Sequence, residues 1–127
     1  MTPAHVITRT SSLSVKATTD KIQTFLQQHG ITIYSRIDQQ AEAAKNGVTL
    51  LPLEFLLFGN PQRGGAVMAV NPLAALDLPL KIIIWEDAAH QVQVAYNEVA
   101  YIIGRYNLPQ ELAPLIDLDP MLAKLLS

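Results

Sequence analysis

Residues 80–96 read LKIIIWEDAAHQVQVAY, and this stretch predicts the hairpin around which the fold is built. Leu80–Trp85 is apolar and rich in isoleucine apart from one lysine, which is typical of a strand. Gln91–Tyr96 alternates apolar and polar side chains, so it predicts a second strand with one buried face. Glu86–His90 is short enough to join the two strands as a hairpin loop.

The segments that precede this hairpin predict three more strands, because they are β-branched, apolar or alternate between apolar and polar residues. These strands lie at 5–10, 31–38 and 53–58. The last segment is apolar on both faces apart from Glu54, a pattern typical of an interior strand. The sequence therefore predicts one sheet with residues 53–58 and the hairpin in its interior.

Helices are predicted between and after these strands. Their segments are 14–30, 65–70, 97–106 and 119–126. Ser14, Asn97 and Asp119 are the predicted N-caps, because their side chains accept hydrogen bonds from free backbone N–H groups. The order β-α-β-β-α-β-β-α-α predicts an α/β fold of the α+β type. We expect a single two-layer domain over residues 1–127, with a roughly five-stranded sheet and helices mainly on one face.

The composition suggests that part of the surface is covered. The chain is half hydrophobic but only 16% charged, below the roughly 25% of typical soluble domains. The apolar strands account for part of this excess, whereas the C-terminal tail, residues 108–127, is apolar but broken by Pro114 and Pro120. We therefore predict a homodimer that buries the tail and one face or edge of the sheet.

Charge and composition exclude several classes of function. The net charge is -2 and the basic residues are scattered, whereas nucleic-acid binding needs a basic surface. No apolar stretch approaches the roughly 20 residues that span a bilayer, and no secretory signal is visible, so we expect a cytoplasmic protein. The absence of cysteine excludes thiol nucleophiles. His5, His29 and His90 lack metal-ligand spacing, so we predict no metal and no cofactor.

The sequence GNPQRGGA, which starts at Gly59, has two glycines at the spacing of a phosphate-binding loop. Gly65 and Ala66 stand where such a loop requires Lys and Ser or Thr, which argues against ATP or GTP hydrolysis. Two interpretations stay open. Backbone N–H groups and Arg63 form an anion site beside Gly64, or the segment is a flexible turn.

Acidic residues near strand ends are the candidates for acid/base chemistry. Asp77 is flanked by leucines, and a carboxylate in apolar surroundings usually has a partner. Asp77 and Glu86 could divide the acid and base roles if they converge on one cleft. Alternatively, Asp77 accepts backbone hydrogen bonds at a turn, while Glu86 and Asp87 begin the hairpin loop. Trp85, predicted to pair across the hairpin with Tyr96, belongs to the core, a ligand pocket or a dimer contact.

Several short motifs together resemble a known protein family. They are FGNP at 58–61, ALDLPLK at 75–81, WED at 85–87, YN at 96–97, and RID at 36–38 followed by AEAAK at 41–45. In this combination the chain is similar to the family called domain of unknown function 302, from about residue 6 to residue 106. The resemblance implies a small two-layer α/β protein and a dimer-forming fold, and it carries over no catalytic residue.

Motif membership and side-chain chemistry select the candidate ligand-binding residues. They are Asn60, Arg63, Gly64, Gly65, Asp77, Trp85, Glu86, Asp87 and Asn97. Our first hypothesis is a homodimeric small-molecule binding or sensing module, with a pocket near Asn60 and Asp77 that takes a small anionic ligand. One alternative is a small enzyme that uses Asp77 and Glu86 on an anionic substrate held by Arg63. The other is a structural protein that binds a partner through its tail.

Overall fold

A five-stranded sheet forms the centre of the computed structural model, which describes residues 2–127. Its strands are β1 (Val6–Ser11), β2 (Thr32–Asp38), β3 (Leu53–Gly59), β4 (Leu80–Glu86) and β5 (Val92–Asn97). They lie in the order β1-β5-β4-β3-β2, and all neighbours are antiparallel. The predicted hairpin therefore supplies the central strand β4 and its neighbour β5, and the predicted fold class is confirmed.

Helices and short 3-10 turns connect the strands. The helices are α1 (Val15–Gln28), α2 (Gln39–Ala44), α3 (Pro61–Val70), α4 (Val99–Arg105), α5 (Ala113–Ile116) and α6 (Asp119–Leu125). The 3-10 turns span Pro72–Leu76 and Gln110–Leu112. Helix α1 begins and ends as predicted, because Ser14 Oγ accepts a hydrogen bond from the Ala17 N–H at 3.1 Å and Gly30 adopts a positive φ of 73° after the last turn.

One face of the sheet packs against α1 and α6. The strand registers place Leu56, Ile82 and Tyr96 side by side on this face, since side chains of paired residues point the same way. Ile22 of α1 is fully buried against them, and Leu122 of α6 is 1% exposed. This layer forms the first hydrophobic core and holds the tail on its own chain.

A second hydrophobic core lies among α3, α4 and α5. Val67, Ile102 and Ile116 are buried there, one from each helix. Leu80, the first residue of β4, packs against both cores. The second core therefore joins the sheet at the end where β3 finishes and β4 begins, which is also where the cavities described below are found.

The opposite face of the sheet, which we call the open face, contributes to neither core. Its central row is Phe55, Ile83 and Ala95, paired across β3, β4 and β5. Phe55 and Ala95 are buried, whereas Ile83 and Trp85 are half-buried. The Lys81 ammonium group lies 4.5 Å from the centre of the Phe55 ring. The centre of this face is thus apolar, whereas Thr8, Thr10 and Gln93 make its β1–β5 side polar.

Two predicted helix starts are wrong. Asn97 is the last residue of β5, and α4 follows Glu98, whose side chain makes no capping bond. Asp119 is the first residue of α6 rather than its cap, which is Leu118. In both cases the polar residue that resembled a cap lies one position from the true cap. The Asp119 carboxylate instead has long-range partners, described below.

The tail packs on its own chain, whereas its predicted burial in a homodimer stays a prediction. Ile116 and Leu122 are buried against the same chain, so the tail needs no second copy to cover its apolar side. Short helices gain their stability from tertiary packing, and these helices pack on the sheet and on α3 and α4. Within residues 2–127, no helix combines the length and the apolar character that crossing a bilayer requires.

Candidate functional site

A cleft of about 410 Å³ opens where the end of β3, the start of β4 and the tail meet. Phe58, Leu78 and Leu80 line it from the side of the sheet, and Leu118 and Met121 line it from the tail. Ligand pockets in proteins are concave, mostly apolar and typically about 300–1,000 Å³. The cleft therefore has the size and the lining of a small-molecule site.

Asn60 connects β3 to α3 at the mouth of this cleft. Its Oδ1 accepts hydrogen bonds from the backbone N–H groups of Gln62 at 2.9 Å and Arg63 at 3.2 Å. The Gly64 N–H donates to the Asn60 carbonyl at 2.8 Å. Pro61 occupies the first helical turn, where its missing N–H has no consequence. Asn60 is thus the N-cap of α3.

This capping corrects both interpretations of the glycine segment. Helix α3 starts at Pro61, four residues earlier than predicted, so Gly64 and Gly65 lie inside a helix and not in a loop. The first amides of that helix already have the Asn60 side chain as their partner. The backbone N–H groups of Gln62 and Arg63 are therefore already used within the protein. Among residues 2–127, Arg63 is the one lysine or arginine that lines the cleft.

Two further polar side chains, His29 and Asp117, stand at the rim of the cleft. His29 Nδ1 lies 2.8 Å from the Phe25 carbonyl, and the two rings stack with centres 4.2 Å apart. Because a carbonyl only accepts hydrogen bonds, Nδ1 carries the proton and Nε2 is left for another partner. Asp117 accepts a hydrogen bond from the Asp119 N–H at 3.1 Å. The cleft therefore has apolar walls and a polar rim.

Asp77 lies on the other side of the segment 78–80, beside a second cavity of about 470 Å³. Its Oδ2 accepts hydrogen bonds from Arg105 Nη1 at 2.9 Å and from the Tyr106 hydroxyl group. Burial, followed by the hydrogen bond to Asp77, raises the pKa of Tyr106. Asn97 lines the same cavity. The structure thus brings Asp77 and Asn97 together, one cavity away from Asn60 and Arg63.

Glu86 lies far from Asp77. Asp77 precedes β4 and Glu86 is its last residue, and a strand of seven residues is about 20 Å long. Glu86 Oε2 instead lies 3.0 Å from His90 Nδ1 in the hairpin loop. Paired carboxylates act on one reactant only when they flank it at roughly 5–10 Å. The two acids therefore do not form a catalytic pair.

Asp87 has a structural role in the hairpin loop. Its Oδ1 accepts hydrogen bonds from the backbone N–H groups of Ala89 at 2.9 Å and Gln91 at 3.0 Å. Its Oδ2 accepts a hydrogen bond from Gln93 Nε2 at 3.2 Å. The bond from the Gln91 backbone is the main cause of its lowered pKa. Both carboxylate oxygens of Asp87 therefore accept hydrogen bonds that shape the turn, in agreement with the prediction that Glu86 and Asp87 begin the hairpin loop.

Trp85 and Tyr96 do not pair across the hairpin. Trp85 is opposite Gln93, whereas Tyr96 is opposite Ile82. A register difference of odd length places side chains on opposite faces of a sheet. Trp85 therefore belongs to the open face, and Tyr96 belongs to the face covered by α1 and α6. Neither Trp85, Glu86 nor Asp87 lines the cleft or the second cavity.

A polar cluster of Arg9, Tyr96 and Asp119 ties the tail to the sheet. Asp119 Oδ1 accepts hydrogen bonds from Arg9 Nη2 at 2.7 Å and from the Tyr96 hydroxyl group at 2.5 Å. Arg9 Nε donates to the same hydroxyl group at 2.9 Å. The three residues are far apart in the sequence, so no local pattern could have revealed this cluster. The tail residues that line the cleft were missed for the same reason.

The comparisons with known proteins agree with this architecture. The fold is similar to the crystal structure of an uncharacterized conserved DUF302 protein from Bacillus stearothermophilus, with a TM-score of 0.82 and 20% identity. That similarity covers 98% of this chain and 97% of the other chain.

Two curated relatives are named Fluoride-specific ion channel FluC 1, from Brucella suis and Brucella abortus. Both are 32% identical over 103 residues, which cover 81% of this chain but only 41% and 38% of the relatives. The chain thus spans about two-fifths of the length of these relatives. The family model described as "Domain of unknown function DUF302" matches residues 7–126. The chain therefore belongs to the DUF302 family, as its motifs suggested.

Proposed function

We propose that this protein is a small-molecule binding or sensing module whose cleft takes a ligand with an apolar body and an anionic group. The observation that carries the proposal is the cleft of about 410 Å³ between the sheet and the tail. Its walls come from β3, β4, α3 and the tail, so a bound ligand would contact all of these elements at once.

The apolar walls support an apolar ligand body. Phe58 of the sheet and Met121 of the tail line the cleft together with several leucines. Burying an apolar group against such walls contributes roughly 25 cal/mol per Å² removed from water. A ligand chain of several carbons would therefore gain most of its affinity from these contacts, whereas a fully polar ligand would not.

Arg63 supports an anionic group at the rim. Its side chain is exposed, and among residues 2–127 it forms no salt bridge. A guanidinium group binds a carboxylate or a phosphate through two parallel hydrogen bonds. The free ring nitrogen of His29 lies on the same rim and can add a further polar contact.

The separation of Asp77 and Glu86 favours binding over carboxylate catalysis. An acid and a base must both reach the reacting atoms, and these two groups lie at opposite ends of β4. The proposal therefore assigns the cleft a binding role and no acid/base step.

We also propose that the protein is a homodimer in which two open faces pack on each other. Leu57, Ile83 and Trp85 form an apolar patch at the centre of this face, and they are only half-buried in one chain. Five strands about 4.8 Å apart and about 20 Å long cover roughly 480 Å², more than half of the about 800 Å² per partner in a standard interface. A second copy is the favoured occupant, because two apolar sheet faces pack well at about 10 Å separation.

A second candidate function is suggested by the Brucella relatives, whose names describe fluoride-specific ion channels. A module that accompanies such a channel could bind the ion itself. Sodium fluoride, with sodium chloride as its control, is therefore a probe for this candidate. Stabilisation by fluoride without stabilisation by octanoate would favour it over the apolar anion.

Octanoate is the probe for the main proposal, because it combines an apolar chain with a carboxylate. A ligand at 100 times its dissociation constant raises the free energy of unfolding by about 2.7 kcal/mol, which a thermal-shift experiment detects. We expect Arg63→Gln to weaken octanoate binding by at least about tenfold, because it removes the positive charge and the paired hydrogen bonds of the guanidinium group. Isothermal titration calorimetry measures this change.

The matched control is Lys21→Gln, which removes an exposed positive charge from α1, away from the cleft. It should leave octanoate binding unchanged. Equal affinities for the two variants would contradict the role of Arg63. No binding of octanoate to the wild-type protein would contradict the proposed function itself.

A further inference from the structure

We propose a second ligand site in the cavity of about 470 Å³ beside Asp77, and we infer that it takes a primary ammonium group on an apolar body. The cavity lies across the segment 78–80 from the cleft, and both are lined by Leu78, Pro79 and Leu80. The inference is independent of the proposed ligand in the cleft, because it rests on different polar residues.

The Asp77 carboxylate is fixed in place with one oxygen still available. Arg105 and Tyr106 both donate to Oδ2, and within residues 2–127 no hydrogen bond reaches Oδ1. The side chain is 18% exposed, so it is held firmly but is not sealed off. A carboxylate oxygen with two lone pairs is a strong acceptor for a charged donor.

Arg105 and Tyr106 hold Asp77 from outside the cavity, since neither of them lines it. The Arg105 guanidinium group therefore pairs with Asp77 without lining the cavity. Among residues 2–127, Lys81 is the only cationic side chain that lines the cavity, and its ammonium group lies over the Phe55 ring. Asp77 is the one acidic side chain among the described residues that line the cavity.

Asn97 supplies a second acceptor among the residues that line the cavity. It is exposed at the end of β5, and its side chain makes no hydrogen bond within the described part of the chain. An ammonium group has three donors and no acceptor, so it can use the oxygens of both Asp77 and Asn97. Leu76 and Ile102 also line the cavity and suit an apolar body.

The test compares three probes that share one chain and differ in the end group: octylammonium, octan-1-ol and octanoate. Titrations followed by amide chemical shifts in the wild-type protein locate each probe. We expect octylammonium to shift the amides of residues 76–78 and 97, and octanoate to shift those of residues 60–64. Octylammonium shifts confined to residues 60–64, or absent altogether, would overturn the inference.

Substitutions then test the polar contacts. We expect Asp77→Asn to weaken octylammonium binding about tenfold, through loss of the charged acceptor, and to leave octan-1-ol binding within twofold. Asn97→Leu leaves the Asp77 pair intact and should weaken octylammonium severalfold, so the test does not depend on the folding of one variant. Glu111→Gln, an exposed site away from the cavity, is the charge control.

This design tests the two proposed sites independently. Arg63→Gln should weaken octanoate and leave octylammonium unchanged. Octylammonium affinities within twofold of wild type for both Asp77→Asn and Asn97→Leu would overturn the second site, whatever octanoate does at the cleft.

Discussion

At the scale of single residues, the polar side chains act mainly by fixing segments that are distant in the sequence. Asp119 is the clearest case, because its carboxylate receives hydrogen bonds from both Tyr96 and Arg9. These bonds, with that from Tyr96 the larger cause, lower the pKa of Asp119. Burial is the main cause that raises the pKa of Tyr96 to about 12, so its hydroxyl group remains a donor at neutral pH.

The lowered pKa of Asp119 predicts a pH dependence of stability. A carboxyl group whose pKa is lower in the folded state stabilises the fold above its unfolded pKa, about 3.9. That contribution is lost as the pH falls through the folded pKa. We therefore expect the difference in free energy of unfolding between wild type and Asp119→Asn to be largest near neutral pH and to shrink below about pH 4. Urea unfolding at pH 7 and pH 3 measures it.

Two variants control this experiment. Tyr96→Phe removes one of the two donors and should reduce the same pH-dependent difference, whereas Glu111→Gln should leave the wild-type profile unchanged. A difference between wild type and Asp119→Asn that is the same at both pH values would contradict the role of the Asp119 charge.

At the scale of elements, the tail both covers the two hydrophobic cores and lines the cleft. Helix α6 covers the first core with Leu122, and α5 covers the second core with Ile116. Between these anchors, Asp117 and Leu118 line the cleft. The cleft therefore exists only while α5 and α6 are docked, and its shape depends on the packing of helices that are too short to be stable alone.

We expect Leu122→Ala to lower the free energy of unfolding by about 2–5 kcal/mol, the usual range for a buried leucine. Lys124→Ala is the control on the same helix, because Lys124 is exposed and surface substitutions change stability by less than about 0.5 kcal/mol. Urea unfolding at neutral pH separates the two. Equal stabilities would show that α6 does not contribute to the folded core.

At the scale of the whole molecule, the sheet divides the protein into a covered side and an open side. The covered side carries the first core and the tail, and residues of both line the cleft. The open side presents the apolar row around Ile83. A low proportion of charged residues, 16% of the chain, fits a protein with such a face.

The homodimer is tested by sedimentation at micromolar concentration. We expect the wild-type chain to sediment as a dimer and Ile83→Lys, in the centre of the open face, to sediment as a folded monomer. Trp85→Lys should have the same effect, which guards against a folding defect in either variant. Leu73→Lys changes an apolar residue that is 62% exposed outside the sheet and should remain dimeric. A monomeric wild-type chain would contradict the proposed interface.

Local sequence patterns predicted much of the fold because they reflect interactions between residues that are close in the sequence. Alternation in residues 31–38 and the apolar runs of β3 and β4 predicted strands, since a strand exposes its faces in turn. Ser14 and Gly30 predicted the limits of α1 because capping involves neighbours only. Asn97 and Asp119 failed as predicted caps, since the same polar residues also suit strand ends and long-range pairs.

The candidate site was predicted in part. Asn60 and Arg63 were identified, but the glycines beside them suggested a loop where Asn60 and Pro61 in fact start a helix. Asp77 was identified because a carboxylate among leucines needs a partner, yet its partners Arg105 and Tyr106 are 28 and 29 residues away.

The sequence by itself determined the strands, the first helix, the membership of the DUF302 family and the residue types available for a site. Only the tertiary structure decided which of those residues meet. It separated Asp77 from Glu86 along β4, placed Trp85 on the open face, and closed the cleft with the tail. The physical reason is that periodicity and capping act over a few residues, whereas cavities and polar clusters form where distant segments pack.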